Sequence, residues 1–295
     1  MTRGIITIAL GTETYLRMAK DLALSARKHC GTTPRAVVTD SSDAELAALF
    51  DIVIPVDASL GDPLFQKLCL DKYSPFDETL FIDCDSLIVG DVDFIWRACE
   101  GRSSTFVGQK QTTGSWYGAD VATICKACHV EWLGTLNSGM IYFRSGEAAS
   151  KMFDSGRRAQ RRCRELGFDL FRGNTYSDEI GFSIAFGEHA VEPLDDPDGL
   201  TMRTPIGIEG KMQIDVLRGY CRFVKRGQPV APTVVHFATW QFHPTYYRER
   251  AKLRLYYKSP LIRPLARVGG TYIYWRERSL GAWRSVSTRL SRRSP

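Results

Sequence analysis

The first 85 residues alternate short apolar runs with segments of helical periodicity. Ile5–Leu10 is a continuous apolar run that ends at Gly11, as expected of a strand buried on both faces. Apolar residues then recur at helical spacing from Tyr15 to Ala26, and Cys30-Gly31 ends this helix. Further strands are predicted over Ala36–Thr39, Ile52–Val56 and Thr79–Ile82, with helices over Ala44–Phe50 and Leu64–Leu70. Such alternation is typical of βαβ units, so the sequence predicts an α/β fold with a mostly parallel sheet.

The second half of the chain is less regular. Strands are predicted over Gly139–Phe143 and Thr233–Phe237, and helices over Ala148–Leu166 and Ser177–Phe186. The first of these helices carries a strongly basic face, formed by Arg157, Arg158, Arg161, Arg162 and Arg164. The spacing of c-type haem attachment occurs in Cys125-Lys-Ala-Cys128-His129, but haem attachment requires export, for which the sequence shows no signal. A zinc site would need a second pair of ligands, and none is evident. We therefore expect an ordinary helix or loop there.

Positive charge is concentrated at the C-terminus. The chain of 295 residues has a net charge of +6, yet residues 248–295 carry thirteen Lys or Arg and two acids, so residues 1–247 are mildly acidic. We predict a globular domain over 1–247 and a basic, aromatic arm over 248–295, helical or irregular. Aromatic residues of the arm include Tyr274, Trp275 and Trp283. Such asymmetry predicts an anionic partner for the arm.

The sequence predicts a cytoplasmic protein. No run approaches the ~20 apolar residues of a membrane-spanning helix, and the N-terminal apolar run is too short for a signal peptide. The eight cysteines are scattered, several of them in apolar runs. Without an export signal, reduced thiols are expected.

Two carboxylates follow the fourth predicted strand directly, in Asp83-Cys84-Asp85. In an extended segment residues i and i+2 point the same way, so both side chains would face the crevice beyond the strand ends. Unpaired, they would repel each other and lose solvation. A divalent cation such as Mg2+ or Mn2+ resolves this conflict. The alternative is a solvated Asp-rich turn, since Asp-x-Asp alone is a weak motif.

Three segments, in this order, resemble the motifs of family-8-type glycosyltransferases with the A-type fold. Residues 67–91 resemble the nucleotide-binding half, in which a strand carries apolar-x-Asp-x-Asp, then an apolar pair and a later Asp. Leu136–Phe143 resembles the Asn-Ser-Gly-apolar segment that lines the donor-sugar pocket. Val234–Phe237 contains His236 in the place of a late His that is a further metal ligand. The resemblance covers about residues 4–245 in motif order.

The resemblance implies a Rossmann-like mixed sheet flanked by helices, and a nucleotide-sugar donor that is commonly UDP-linked. It implies Mn2+ or Mg2+ held by Asp83, Asp85 and His236. Residues implied to bind the donor are Ala9, Gly11, Thr12, Tyr15, Asp40, Lys67, Asp83, Asp85, Ser138, Gly139 and His243. The family usually continues with Gly and then Lys-Pro-Trp, whose Lys contacts diphosphate. This chain has His243-Pro244 about one residue late and no Lys there, so His243 or Arg248 is expected to replace it.

Candidate catalytic residues are Asn137, Asp178 and Glu179. The resemblance places Asp178-Glu179 against an Asp-Gln pair that faces the reacting sugar carbon. Glu is a departure from the family pattern: enzymes of this family retain anomeric configuration, whereas Glu acting as a general base would give inversion. Retention is slightly favoured. The alternative for both acids is helix capping, because acids are favoured in a first helical turn.

These expectations describe a transferase that moves a sugar to a glycan or lipid-linked acceptor. With such a body, the arm suits an anionic membrane surface, peripheral on its inner face, better than nucleic acid. A solvated tail packed on the body is the alternative for the arm. For the whole chain, one alternative is a nucleotidyltransferase, which would carry a Gly-rich basic loop after the first strand, unlike Leu10–Thr14. Another is a non-catalytic protein that binds a nucleotide-sugar or nucleic acid.

Overall fold

The computed structural model describes residues 1–171, 173–238 and 243–272. The strands are β1 (Arg3–Ala9), β2 (Arg35–Thr39), β3 (Ile52–Pro55), β4 (Glu78–Ile82), β5 (Ser86–Ile88), β6 (Ser104–Gln111), β7 (Ser115–Trp116), β8 (Ala119–Asp120), β9 (Leu133–Arg144), β10 (Met202–Arg203), β11 (Ile208–Asp215), β12 (Tyr220–Lys225), β13 (Gln228–Val230) and β14 (Val234–His236). The α-helices are α1 (Glu13–His29), α2 (Ala44–Ala47), α3 (Leu70–Tyr73), α4 (Asp93–Ala98), α5 (Val121–Cys128), α6 (Glu147–Arg161), α7 (Asp178–Glu188) and α8 (Pro244–Lys258). Short 3-10 helices span Ala58–Leu60, Phe65–Cys69 and Pro260–Leu265, and residues 266–272 are helical.

A six-stranded sheet with the order β3-β2-β1-β4-β9-β6 forms the centre of the molecule. Strands β3, β2, β1 and β4 pair in parallel, and β9 runs antiparallel to both β4 and β6. The predicted α/β fold with a mixed, mostly parallel sheet flanked by helices is confirmed. Because β1, β2 and β4 run in the same direction, their carboxyl ends lie at one edge of the sheet. The predicted ligand-binding segments after these three strands therefore share that edge.

Side chains of β1 alternate between the two faces of the sheet, as the pleat requires. Ile6 and Ile8 pack in the core cluster that contains residues of α6 and α7. Ile5 packs in a second cluster with residues of α1 and α4, and Ala9 in a third with residues of α1. Both faces are therefore covered, which is why β1 reads as a continuous apolar run.

Several element boundaries differ from those predicted. Strand β9 begins at Leu133 rather than Gly139, because its first residues pair with the end of β6. The helix predicted over Ala44–Phe50 ends at Ala47. The segment Leu64–Leu70 forms a 3-10 helix that leads into α3.

The predicted basic face of α6 is only partly right. Helix α6 ends at Arg161, so Arg162 and Arg164 lie beyond it. Arg157 is buried and binds Asp71 of α3, with its Nη1 at 2.6 Å from Asp71 Oδ1. One of the five arginines therefore joins α6 to α3 and faces the interior.

A small sheet, β10-β14-β5, adjoins the carboxyl end of β4. Strands β5 and β14 are antiparallel and place His236 opposite Ser86. The late strand β14 thus returns the chain to the segment that follows β4.

Helix α8 crosses residue 247, the predicted end of the globular domain, and packs against α1. Arg250 and Arg254 form ion pairs with Asp21 of α1, whose side chain is buried. Arg248 and Lys252 form ion pairs with the buried Glu249. All four bases therefore have acidic partners, Asp21 of α1 and Glu249 of α8 itself.

The other residues predicted to contact an anionic surface lie in the C-terminal half of the arm. Tyr274, Trp275 and Trp283 lie outside the described residues. None of the helices in the described part of the chain has both the length and the hydrophobicity that crossing a bilayer requires. Contact of the arm with an anionic surface stays a prediction.

Candidate functional site

Asp83 and Asp85 lie in a tight turn directly after β4. The backbone N–H of Ser86 donates to the carbonyl of Asp83 at 3.0 Å, and the N–H of Asp83 donates to the carbonyl of Gly139 at 3.0 Å. The extended geometry assumed for this segment is therefore wrong. The two carboxylates converge because the chain reverses between β4 and β5, with Cys84 buried between them.

His236 completes a group with these two carboxylates. Its Nε2 lies 3.0 Å from Asp85 Oδ1 and 3.5 Å from Asp83 Oδ2. One ligand atom from each of the three residues lies within 4.8 Å of the others. The N–H of Phe237 donates to the carbonyl of Asp85 at 3.0 Å, which extends the β5–β14 pairing and fixes the imidazole beside the turn. Carboxylate oxygens and an imidazole nitrogen suit a divalent cation.

Asn137 fixes the tautomer of this histidine. Its Oδ1 lies 2.6 Å from His236 Nδ1 and also accepts the N–H of Gly139 at 3.1 Å. A backbone N–H can only donate, so this atom is the amide oxygen and Nδ1 must carry a proton. Nε2 therefore faces the carboxylates as the atom available to a metal, an arrangement that metal-binding histidines commonly have.

Gly139 is required by the position of the histidine ring. A Cβ atom at this residue would lie 2.2 Å from His236 Nδ1 and 2.8 Å from Asn137 Oδ1. Both distances are far below van der Waals contact. The absence of a side chain in Asn137-Ser138-Gly139 therefore makes room for the imidazole.

Lys67 links the Asp83 group to the start of α7. Its Nζ lies 2.7 Å from Asp83 Oδ2, 3.3 Å from Ser138 Oγ and 3.5 Å from Asp178 Oδ2. The ammonium also lies over the ring of Phe81, 5.6 Å from its centroid. A cation held between two acids of a crevice is suited to an anionic ligand that would replace one of them.

Burial and close charges shift the pKa values of the group in different directions. Burial raises the pKa of Asp83 above its ordinary value, although Lys67 and His236 act against it. Burial acts in the same sense on Asp85, but attraction to His236 outweighs it and lowers the pKa of Asp85. Burial would lower the pKa of His236, and the Asp85 carboxylate reverses this and raises it. Metal binding would therefore release a proton from the imidazole.

Asp178 and Glu179 form the first turn of α7, after the N-cap Ser177. The Asp178 side chain is buried, and its Oδ2 makes no hydrogen bond within the described residues although Lys67 is near. Glu179 accepts the N–H of Ser138 on Oε1 at 3.1 Å. Glu179 thus contacts Ser138 and Ser177 supplies the cap, while the position of both acids at the reacting sugar carbon stays a prediction.

The carboxyl group of Glu179 is held by a residue that the sequence did not indicate. The hydroxyl of Tyr117 donates to Glu179 Oε2 at 2.7 Å. Burial, reinforced by the Asp178 carboxylate, raises the pKa of Glu179 to about 7. Tyr117 has a φ of 45° and lies in the turn between β7 and β8. The aromatic pair Trp116-Tyr117 in a polar, glycine-rich segment gave no signal of this role.

The residues predicted to border the nucleotide lie at the ends of β1 and β2. Ala9 is the last residue of β1, and Gly11 follows with a φ of 82°. The N–H of Gly11 donates to both carboxylate oxygens of Asp40, at 3.2 and 3.1 Å. Thr12 is the N-cap of α1, and the half-buried Tyr15 lies in its first turn. The structure therefore brings these segments together at the same sheet edge as β4.

Two other predicted segments have local structural roles. His243 is the N-cap of α8, with its Nδ1 accepting the N–H of Thr245 at 3.2 Å. Its contact with diphosphate stays a prediction. Arg248, the other candidate for that contact, forms an ion pair with Glu249. Cys125 and Cys128 lie at the end of α5 and are free thiols.

The chain is similar to solved structures of glycosyltransferases. GlyE of Streptococcus pneumoniae TIGR4 is 12% identical with a TM-score of 0.44, over 66% of this chain and 46% of that one. The bifunctional glycosyltransferase WbbM is 11% identical with a TM-score of 0.48, over 69% and 40%. The galactosyltransferase LgtC, solved with donor and acceptor sugar analogues, is 14% identical with a TM-score of 0.48, over 79% and 86%.

This chain spans less than half of the length of GlyE and WbbM. No protein-family model matches the sequence, and no curated protein matches it. The proposal that follows therefore stands on the side chains of this chain.

Proposed function

We propose that this chain is a metal-dependent glycosyltransferase that moves a sugar from a nucleotide-sugar, UDP-linked by the resemblance above, to a glycan or lipid-linked acceptor. One observation carries the proposal. Asp83, Asp85 and His236 converge at the carboxyl edge of a parallel sheet, beside Lys67 and the acids of α7. Ligands of open α/β sheets bind at this edge.

Asp83, Asp85 and His236 fit a Mn2+ or Mg2+ ion by the chemistry of their ligand atoms. Such an ion supplies a positive charge that stabilises a departing diphosphate. Asn137 supports this use, because it keeps a proton on Nδ1 and so directs Nε2 of His236 to the ion.

Lys67 and Asp178 have separate tasks in the proposal. The Lys67 ammonium, which now contacts the Asp83 carboxylate, would bind a phosphate oxygen of the donor. Asp178 Oδ2, buried and without a hydrogen bond, accepts a hydroxyl of the transferred sugar. Lys67 is its ion-pair partner at 3.5 Å, so a sugar hydroxyl would add the hydrogen bond that this oxygen lacks.

The stereochemical course depends on Glu179. Both of its carboxylate oxygens already accept hydrogen bonds, from Tyr117 and from Ser138. Because both oxygens are already hydrogen-bonded, the Glu179 carboxylate is poorly placed to deprotonate an acceptor hydroxyl. We therefore propose retention of configuration. The anomeric coupling constant in the proton NMR spectrum of the first-formed product measures the outcome, and an inverted product would reassign Glu179 as the base.

Substitution of Asp85 tests the function. The wild-type protein should cleave a nucleotide-sugar donor in the presence of Mn2+ and lose this activity with a chelator. Asp85→Ala should abolish both donor cleavage and metal dependence. Asp93→Ala is the matched control, since Asp93 is an exposed acid of α4 outside the group. Full, metal-dependent activity of Asp85→Ala would reject the assignment of the site.

The same assay separates the rival functions. A nucleotidyltransferase would release pyrophosphate from a nucleoside triphosphate and a sugar phosphate, and would leave nucleotide-sugars intact in the absence of pyrophosphate. A non-catalytic binder would be stabilised by the donor in a thermal melt without consuming it. Attachment of the arm to an anionic membrane near a lipid-linked acceptor belongs to this proposal as well, and residues beyond α8 would carry it.

A further inference from the structure

A second concave site lies between the β11–β12 hairpin and the C-terminal helices. It is a cavity of about 730 Å³, within the size range of small-molecule sites. Its lining comes from the end of β11, the following turn and β12, from α8 and from residues 266–272. None of these lining residues belongs to the Asp83 group, and Arg248 is the one that was also a candidate for the diphosphate contact.

Cations dominate the lining of this cavity. Arg218, Arg248, Lys252 and Arg267 all contribute to it, and Asp215 is its acidic member. Asp215 Oδ2 lies 2.7 Å from Arg267 Nε and 3.7 Å from Lys252 Nζ. Glu249, which is buried and does not line the cavity, forms ion pairs with Arg248 and Lys252. With both acids counted, the four cations leave the site with two uncompensated positive charges.

Arg218 is the cation without a counter-charge. It lies in the turn after β11, is exposed, and forms no ion pair within the described residues. Like charges held in one cavity repel each other, and this repulsion destabilises the fold unless an anion joins them. Three separate elements hold these bases in one place, which is the arrangement expected of an anion site.

The rest of the lining can hold the body of a ligand. Met212 supplies an apolar surface, and Tyr220 supplies an aromatic ring whose hydroxyl donates to Gln213 Oε1 at 2.9 Å. Thr271 adds a hydroxyl. Guanidinium groups recognise phosphate by paired hydrogen bonds.

We propose that this cavity binds the phosphate group of a phosphate-bearing ligand, with Arg218 as the principal recognition residue. The phosphate is that of a soluble ester or of a lipid headgroup. The proposal does not depend on the transfer reaction, because the cavity uses no residue of the Asp83 group.

Titration of the full chain with inorganic phosphate and with pyrophosphate, followed by calorimetry, tests the proposal. A chelator is present throughout, so that a metal at Asp83 and Asp85 does not contribute. Arg218→Glu should raise the Kd by about tenfold or more, since a charge-assisted hydrogen bond is lost and a repulsive charge is added. Arg97→Glu is the matched control, because Arg97 is an exposed arginine of α4 outside the cavity and should leave the Kd unchanged.

Vesicles distinguish the two sources of phosphate. Flotation is measured with phosphatidylcholine alone and with added phosphatidic acid. Loss of the phosphatidic-acid-dependent binding in Arg218→Glu identifies a lipid headgroup, whereas loss confined to the soluble anions identifies a soluble phosphate ester. The proposal is overturned if Arg218→Glu matches the wild type in both assays, or if the wild type binds none of these probes. Thermal melts in phosphate-free buffer check that the exposed substitution leaves the fold intact.

Discussion

Gly139 lies where any side chain would displace the histidine of the proposed metal site. Since a Cβ atom there would lie 2.2 Å from His236 Nδ1, the ring must move away if a methyl group is added. We predict that Gly139→Ala weakens Mn2+ binding by at least about tenfold, in the range found when the surroundings of a metal ligand are disturbed. Calorimetric titration with Mn2+ measures this.

Gly90→Ala serves as the comparison for that titration. A Cβ atom at Gly90 would have its nearest contact at 3.6 Å, an ordinary van der Waals distance. Its Mn2+ affinity should therefore equal that of the wild type. Equal affinities for all three proteins would mean that His236 is not a ligand.

The buried carboxyl of Glu179 gives a pH-dependent prediction. Its pKa is raised from an ordinary 4.5 to about 7, so between these values the folded protein holds a proton that the unfolded chain releases. This group therefore disfavours folding progressively as pH rises through that window, by about 3 kcal/mol above pH 7. Glu179→Gln stays neutral and should be more stable than the wild type by up to that amount at pH 8, but not at pH 4.5.

Urea unfolding of both proteins across this pH range, with a chelator present, measures the difference. Subtraction of the two curves removes the contribution of every other titrating group. If the two stabilities keep a constant difference from pH 4.5 to pH 8, then Glu179 ionises normally in the folded protein.

The residues of the site could be predicted because their positions follow from chemistry that is local in sequence. Asp83 and Asp85 directly follow a buried strand, where paired carboxylates without a ligand are unexpected, whereas Asn137, inside β9, was indicated by the family resemblance. Tyr117 could not be found in this way, since its contact with Glu179 depends on a left-handed backbone turn and on burial. The convergence of the two carboxylates was predicted, but the turn that produces it was not.

At the scale of elements, one buried ion pair holds Lys67 in place. Arg157 of α6 binds Asp71 of α3 and donates to the carbonyl of Leu68 at 2.6 Å, within the 3-10 helix that carries Lys67. We predict that Arg157→Met destabilises the protein by about 3–5 kcal/mol, because Asp71 is then left buried without a partner. The urea midpoint at neutral pH measures this loss.

Arg158→Met provides the reference for that measurement. Arg158 is on the same helix but 65% exposed, and its nearest carboxylate is that of Glu188 at 3.9 Å. Its loss should change the stability by no more than about 0.5 kcal/mol. A similar loss for both variants would show that the Arg157 pair contributes no more than an exposed arginine.

Elements were predictable where their periodicity is long enough to read. Helix α1 and strands β1 and β2 fall close to their predicted positions, because each buries a regular apolar pattern. Strand β5 has three residues, too few for a pattern, and its pairing with β14 defines it, whereas β14 lies within the predicted strand Thr233–Phe237. Strand β12 alternates exposed and buried residues, and that signal in the sequence was overlooked.

At the scale of the whole molecule, helix α8 continues past residue 247 and packs on α1. Removal of the chain from Arg248 onward would leave the buried Asp21 without Arg250 and Arg254, at a cost of about 3–5 kcal/mol. We predict that residues 1–272 melt cooperatively and that residues 1–247 melt far lower or not cooperatively. Circular dichroism during heating compares the two chains, and coincident melting curves would contradict this.

The same pair of chains decides how membrane attachment should be tested. Loss of flotation in residues 1–247 would report unfolding rather than a lost membrane contact. A comparison of vesicle flotation between residues 1–272 and the full chain measures the contribution of residues 273–295. Equal binding of these two chains would count against contact between the arm and a membrane.

The pairing of β5 with β14 also fixes when the site can exist during synthesis. Asp83 and Asp85 leave the ribosome early, but His236 follows about 150 residues later, and contacts of such separation form late. A nascent chain can therefore present two carboxylates without the imidazole for most of its translation. Chains that stop before β14 lack His236, so under the proposed function unfinished protein would be unable to consume the donor.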